Sequence, residues 1–432
     1  MSKLIVLSAD AMVYEDLEIL QTLPNFKRLM GNCAVIKNVR SIYPTITYPA
    51  HTSIATGAYP NKHGITGNNV FTKQIRKKPW LWFHDVVRTD DIFTAAKKKG
   101  LSTAAVFWPV TGNHPDIDYL IDEYWTQGEN DTFYDAFKRT GSKNDVLEII
   151  DKNAPLLKER MHPMCDEFVI SCACDMITQF KPDLLMIHPA NIDSYRHQKG
   201  VFNDYVKAGI IETDQYIGQI INATKIAGIY DETNFVLVSD HGQIDIKRTI
   251  HPNIVFAENG LISPTENGEI YDWKAMSVSG GASTLVFIKD KNDRETYKKT
   301  YLLLKKMRDD GIYGISEVYT HDEINEKEHL GGDFAFAIET DGYTSFGDNV
   351  TGNLVTGYDN SDYRFGKGTH GYHPDKGPQP IFAAKGPDFR ENVILNKGLL
   401  VDEAPTFAKI LGLDLPNADG KPVNEIIREE LV

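Results

Sequence analysis

The run NFVLVSDHG at residues 234–242 constrains the fold more than any other stretch. Phe235 to Val238 are apolar without interruption, so both faces of an extended segment there must be covered. A strand buried on both faces belongs to a sheet held between two layers of helices. Apolar runs of the same kind recur at residues 4–7, 34–39, 102–108 and 184–188. Helical periodicity fills the intervals, at residues 23–30, 90–100, 162–180 and 206–227. Strands alternating with helices predict an α/β fold with a doubly wound, mostly parallel sheet flanked by helices. Residues 131–138 and 143–150 are further helix candidates. Residues 401–413 predict a C-terminal helix that tolerates Pro405 near its start.

After His251-Pro252 the pattern changes. Residues 274–289 and 333–339 read as strands around a charged helix at 293–309. Residues 261–366 are therefore expected to form a smaller inserted α+β cap, with residues 1–260 and 367–432 as the core. Sixty acidic against 46 basic residues give a net charge of −14, which argues against a broad basic face for a nucleic-acid duplex. A small phosphorylated substrate stays compatible, because bound cations can make a site locally positive. Cys33, Cys165, Cys172 and Cys174 lack metal-knuckle spacing and are expected as free thiols. No signal-peptide core follows Met1 and no apolar run reaches the length of a membrane span. The expected location is the cytoplasm, with no membrane partner.

Residues able to ligate a metal gather at strand ends. Asp10 follows the first run, Asp193 and His197 follow the run at 184–188, and Asp240 and His241 close the run at 234–242. His370 lies in a Gly-flanked turn. In an open α/β sheet, sites form beyond the carboxyl ends of the strands. Six such residues at four places therefore predict a metal site. Asp193 and His197 are four apart, on one face of a helical turn. A mixed His and Asp set suits Zn²⁺ best, with Mn²⁺ also compatible. Two cations about 4 Å apart can clamp the attacking and leaving oxygens of a phosphoryl group.

The stretch SIYPTITYPAHTSIATGAYPNKHGITGNN at residues 41–69 holds too much Thr, Pro, Gly and His for an ordinary core segment. Thr47 is its candidate nucleophile, placed just ahead of a short helix whose N-terminal N–H groups favour an anion. Further on, Lys73, Arg76, Lys77 and Lys78 cluster beside Trp80 and Trp82, as a surface face or a lid.

Residues 41–69 resemble the nucleophile region of the nucleotide pyrophosphatase/phosphodiesterase family, in the alkaline phosphatase superfamily. FWP at 107–109, SDHG at 239–242, THGY at 369–372 and APTFAKILGL at 404–413 are similar to its later landmarks, in the same order. The resemblance implies an alkaline-phosphatase-like fold and hydrolysis of a phosphoric ester with two Zn²⁺ through a phospho-threonine. It assigns Thr47 as nucleophile and metal ligand. Asp10, Asp240 and His241 would share one zinc with Thr47, and Asp193, His197 and His370 would hold the other. Asn68 would bind a non-bridging phosphoryl oxygen. His51 and His63 are then structural, since both sites are already filled.

The implied substrate is a small phosphorylated molecule such as a nucleotide diester. Tyr48 stands where diester-cleaving relatives carry an aromatic for base stacking. His188 stands where a Tyr is common, and Arg196, in place of a Gly, is a candidate for a second anionic group of the substrate. A phosphomonoesterase or a phosphonoacetate hydrolase of the same superfamily is the alternative, and a non-catalytic metal-binding protein lies outside the enzymes. Thr47-Tyr48-Pro49-Ala50-His51 lacks the C-x-P-x-R context that a sulfatase requires.

Overall fold

The computed structural model describes residues 2–73, 78–128, 130–158 and 161–431. Its centre is an eight-stranded sheet built from Lys3–Ser8 (β1), Ala34–Ile36 (β2), Thr103–Val106 (β3), Tyr119–Ile121 (β4), Leu184–Ile187 (β5), Thr233–Val238 (β6), Phe382–Lys385 (β7) and Ile394–Leu395 (β8). The spatial order is β8-β2-β7-β6-β1-β5-β3-β4. β1 pairs in parallel with β5 and β6, and β3 pairs in parallel with β4 and β5. β7 alone runs against its neighbours β2 and β6.

The unbroken apolar runs behave as a sheet covered on both faces requires. Ile5 and Leu7 of β1, Leu185 and Ile187 of β5, and Phe235 and Leu237 of β6 enter one core. It is closed by helices Met164–Phe180 (α3) and Asp204–Ala227 (α5). The alternate residues Leu4, Val6, Leu184, Met186, Val236 and Val238 enter a second core on the other face. That face is covered by Thr47–Thr56 (α1), Ile92–Lys98 (α2) and Glu403–Leu411 (α6). Each such aliphatic side chain contributes roughly 1.5–3 kcal/mol on burial. A one-residue slip of register would exchange the two faces. α5 begins earlier than its periodicity suggests because the Asn203 side chain accepts from the backbone N–H groups of Tyr205 and Val206.

Four strands inside residues 275–340 form a separate antiparallel sheet, in the order Ala275–Ser279, Ser283–Ile288, Phe336–Thr340, Ile315–Thr320. Helix Arg294–Asp309 packs on it through Leu304 and Met307. The single strand expected at 274–289 is a hairpin that turns at Gly280-Gly281. Gly281 has φ +90°, and a Cβ there would lie 2.6 Å from the carbonyl of His370. Ala282 N–H donates to that same carbonyl at 2.8 Å. The hairpin therefore abuts the turn that carries His370. The strand at 315–320 escapes a reading by apolar pattern because only Ile315 and Val318 of ISEVYT are buried, with polar residues between. Among the described residues, no helix is long and apolar enough to cross a membrane. All four cysteines are free thiols.

Candidate metal centre and active site

The parallel strands deliver their carboxyl ends to one edge of the sheet. β1 runs out through Ser8 and Ala9 to Asp10, β6 through Ser239 to Asp240 and His241, and β5 through His188 to helix Asn191–Lys199 (α4), which carries Asp193 and His197. His370 follows a short strand at Gly368–Thr369. The side chains form two triads. In each of Asp10/Asp240/His241 and Asp193/His197/His370, one ligand atom per residue lies within 4.8 Å of the others. Asp240 and His241 are neighbours in sequence, yet both enter the same triad.

The donor set fits two cations on an observation internal to the structure. Asp10 Oδ1 and Asp240 Oδ2 are buried without a hydrogen bond and share only the His241 imidazole, whose Nε2 lies 3.7 and 3.1 Å away, while His197 Nε2 faces only Asp193 Oδ2 at 3.2 Å. Such an arrangement is costly unless something positive is shared between them. Each carboxylate has its other oxygen fixed. His188 Nε2 lies 3.0 Å from Asp10 Oδ2, Ala11 N–H donates to Asp240 Oδ1 at 3.1 Å, and Gln243 Nε2 donates to Asp193 Oδ1 at 2.6 Å. The imidazoles follow the same logic. The Nδ1 atoms of His197, His370 and His241 face the carbonyls of Gly368, Thr45 and Gly242 at 2.8, 3.1 and 3.2 Å. The ring hydrogen therefore sits on Nδ1, and the Nε2 lone pair is left for a metal.

Electrostatics agree. Burial, with Asp193 nearby, pushes the Asp10 carboxyl well above its usual range, and burial beside Asp10 does the same to Asp240. Burial and the neighbouring His370 hold His241 well below an ordinary imidazole, and burial brings His370 down to about 3. In the Asp193–His197 pair, burial is outweighed by mutual attraction, which lowers the carboxyl and raises the imidazole. Such a group carries its charges poorly alone, and divalent cations would reverse that preference.

Thr47 is the first residue of α1 rather than a residue ahead of it. Its Oγ1 lies 3.2 Å from His241 Nε2, against the first triad. His51 ties this end of the helix to the sheet, contacting Thr47 O at 2.9 Å and Ser8 Oγ at 2.8 Å. His63 is buried and bonded to Ser53 Oγ and Ile65 N. Asn68 Oδ1 accepts from Tyr48 N–H at 2.9 Å, which turns its amide nitrogen outward, 3.3 Å from the Tyr363 hydroxyl. Asp10, Thr47, Asn68, Asp193, His197 and His370 all line one cleft of about 480 Å³.

Of the three expected substrate contacts, Arg196 lies off the cleft, whereas His188 and Tyr48 line it. Arg196 is fully buried, and its guanidinium donates to Ala11 O at 3.2 Å, to Val201 O and to the Asp16 carboxylate. It braces the turn behind Asp10 and does not line the cleft. His188 lines the cleft, but its ring is committed to Asp10 and to Phe107 O. The Tyr48 ring is fully buried in a cluster with Ile65, Trp82, Val110 and Tyr124, and it lines the cleft. The half-exposed rings at the cleft are Trp80 and Tyr363, with centroids 5.6 Å apart. Lys78 is no surface residue, since it is buried against Asp348 at 2.7 Å. Arg76 and Lys77 lie outside the described residues.

Glu123, His162 and Asp166 line the cleft without having been singled out. A signal existed for Glu123, which follows β4 as Asp10 follows β1. His84, Asp91 and His114 make a third His/Asp group, away from the cleft. There His114 Nδ1 accepts from Asp116 N–H at 3.1 Å, so its ring hydrogen lies on Nε2 and points at Asp91, 2.9 Å away. That nitrogen therefore carries the ring hydrogen, whereas in the three imidazoles above the hydrogen sits on Nδ1.

A family model described as type I phosphodiesterase / nucleotide pyrophosphatase matches residues 4–373. Rat ectonucleotide pyrophosphatase/phosphodiesterase family member 1 is 23% identical over 270 residues, 58% of this chain and 26% of that protein. The venom phosphodiesterase of Naja atra is 26% identical over 248 residues, 56% of this chain and 26% of that protein. The chain thus spans about a quarter of the length of these curated relatives. The solved structure of murine ectonucleotide pyrophosphatase/phosphodiesterase 5 superposes with a TM-score of 0.68 at 19% identity, covering 99% of this chain and 100% of that one. An inactive variant of the murine protein, in complex with AMP, superposes with a TM-score of 0.67 at 19% identity and the same coverage. The fold of the murine protein is the fold of this chain.

Proposed function

We propose that this chain, which belongs to the type I phosphodiesterase / nucleotide pyrophosphatase family, hydrolyses a phosphoric diester or nucleotide pyrophosphate through a phospho-threonine on Thr47. The observation that carries this reading is Thr47 Oγ1, held 3.2 Å from His241 Nε2 at the edge of a triad with orphaned carboxylate oxygens. Asp10, Asp240 and His241 would hold one cation together with Thr47, and Asp193, His197 and His370 a second. The proposed ions are Zn²⁺, with Mn²⁺ the alternative. When bound, they supply a lowered pKa for a nearby hydroxyl or water and charge neutralisation at phosphorus.

The chain's own residues do the rest. The bond from His51 to Thr47 O and the start of α1 fix the direction in which Oγ1 points. Attack by Oγ1 on phosphorus forms the threonine ester and breaks the bond to the leaving oxygen, and water then hydrolyses the ester. Asn68, its carbonyl anchored on Tyr48 N–H, has one amide hydrogen for a non-bridging oxygen beside the one it gives to the Tyr363 hydroxyl. Trp80 and Tyr363 offer ring faces to a base, which favours a nucleotide diester over a small monoester or phosphonoacetate.

The test compares zinc-loaded wild type, Thr47→Ala and Trp80→Ala on bis-p-nitrophenyl phosphate, p-nitrophenyl phosphate, a dinucleotide and phosphonoacetate. Thr47→Ala is expected to lose turnover and keep bound zinc. Trp80→Ala is expected to raise KM for the dinucleotide more than for bis-p-nitrophenyl phosphate. Turnover of wild-type size in Thr47→Ala, or a preference for the monoester or phosphonoacetate, would sink the proposal.

A further inference from the structure

Tyr363 lies in a polar stretch, GYDNSDYRFGKG, that carries no motif. The fold nevertheless brings it to the reacting centre. Its ring stands beside His370 (centroids 5.7 Å, nearly parallel) and His197 (5.7 Å, edge-on), two members of the second triad. Its hydroxyl accepts from Asn68 Nδ2 at 3.3 Å. Among the described residues that is the hydroxyl's only hydrogen bond, so the phenol's own hydrogen is unspent, and the residue lines the cleft.

We propose that Tyr363 is a catalytic residue whose hydroxyl donates a hydrogen bond to the non-bridging phosphoryl oxygen that the Asn68 amide also holds. The proposal rests on the phosphoryl-transfer reading above. The two groups fit as a pair: the amide has a second hydrogen left after its bond to the phenol oxygen, and the phenol has its one. Both then converge on a single anionic oxygen, the arrangement that stabilises charge building up at phosphorus.

The turn that carries Tyr363 is fixed from several sides, as such a donor requires. Asp362 accepts from Arg364 N–H at 3.0 Å and pairs with the Arg364 guanidinium at 2.7 Å. That guanidinium also meets Asp348 at 2.7 Å, and the same Asp348 oxygen holds Lys78. The hydroxyl of Ser345 donates to Arg364 O at 2.6 Å and that of Thr369 at 3.2 Å. A ring needed only to pack on the imidazoles or to stack on a base would be served equally by Phe, and this separates the roles.

Zinc-loaded wild type and Tyr363→Phe are compared on bis-p-nitrophenyl phosphate and on the Rp and Sp phosphorothioate esters of thymidine 5′-p-nitrophenyl phosphate. Removing one donor is expected to lower kcat about 10- to 100-fold with little change in KM. It is also expected to shift the Rp/Sp rate ratio, because only one of the two prochiral oxygens loses a partner. Zinc content and melting temperature should not change. A kcat and an Rp/Sp ratio both within about twofold of wild type would overturn the assignment. Calorimetric binding of orthovanadate separates the two readings. If wild type cleaves none of the esters, the diesterase reading fails, and a roughly tenfold weaker orthovanadate affinity in Tyr363→Phe still supports the donor role. Unchanged affinity in that case refutes it.

Discussion

Replacing Arg196 separates a substrate contact from a structural brace. The guanidinium is fully buried, and its partners are Ala11 O, Val201 O and the Asp16 carboxylate. Asp16 is itself 2% exposed, and its other recorded partner is Val13 N–H at 2.9 Å. Arg196→Met keeps most of the side-chain length, removes all three donors and leaves Asp16 with its charge buried. Truncating one side of a buried ion pair costs about 3–5 kcal/mol, and most of that is the stranded partner. A loss of 3 kcal/mol lowers the folding constant by roughly 150-fold. Urea unfolding of the zinc-loaded protein should show the midpoint falling accordingly. Asp16→Asn in the Arg196→Met background should recover part of the loss, with a coupling of about 0.5–3 kcal/mol. The folded fraction should keep its KM for bis-p-nitrophenyl phosphate, because the side chain does not line the cleft. A variant as stable as wild type with a severalfold higher KM would refute this reasoning and return Arg196 to the substrate.

Two further outcomes follow from buried imidazoles. His63 is held down to about 3 by burial, only partly offset by Asp419. Its folded pKa lies below the unfolded value near 6.5, so its contribution is intact above pH 6.5 and drains as pH falls toward 3. The slope is about 1.4 kcal/mol per pH unit across that window. His63→Gln should flatten the stability–pH curve between pH 4 and 6.5, and parallel curves for variant and wild type would contradict it. His188→Phe leaves Asp10 Oδ2 without the imidazole 3.0 Å away. Zinc affinity, measured by competition with a chromophoric chelator, should fall about 10- to 100-fold, the usual cost of losing a group that orients a ligand. Unaltered affinity would mean that Asp10 needs no such support.

The core was legible because burial on both faces leaves a local mark. Runs such as LIVL and FVLV have no polar position to give to solvent, and Asp10, Asp240 and His241 follow where those runs end. The inserted sheet was half legible, since its strand at 315–320 buries too few positions to stand out. The aromatic side of the cleft was the least legible. Tyr363 comes from a stretch with no pattern, fixed by Ser345, Asp348 and Thr369. The basic residues beside Trp80 read in sequence as a surface face or a lid, which hides the ring's place at the cleft. Lys78 is in fact buried by Asp348, which is 270 residues away. Long-range partners of this kind leave nothing in the local composition.

Residue type alone also fails to say which clusters are metal sites, and the backbone supplies what is missing. His241, His197 and His370 each turn Nδ1 toward a carbonyl, so the lone pair on Nε2 faces the carboxylates. His114 has the same residue type, an Asp at 2.9 Å and a second His ring at 3.7 Å, yet its Nδ1 meets the N–H of Asp116. Reversing which backbone group it meets, carbonyl or amide, moves the ring hydrogen to the other nitrogen. That converts a ligand into a donor, and Asp91 into its acceptor and the N-cap of α2. The Asp and His set is therefore arranged to hold cations only where loops present carbonyls behind the imidazoles and donors behind the carboxylates. At the sheet edge, Thr45, Gly242, Gly368, Ala11 and Gln243 do so.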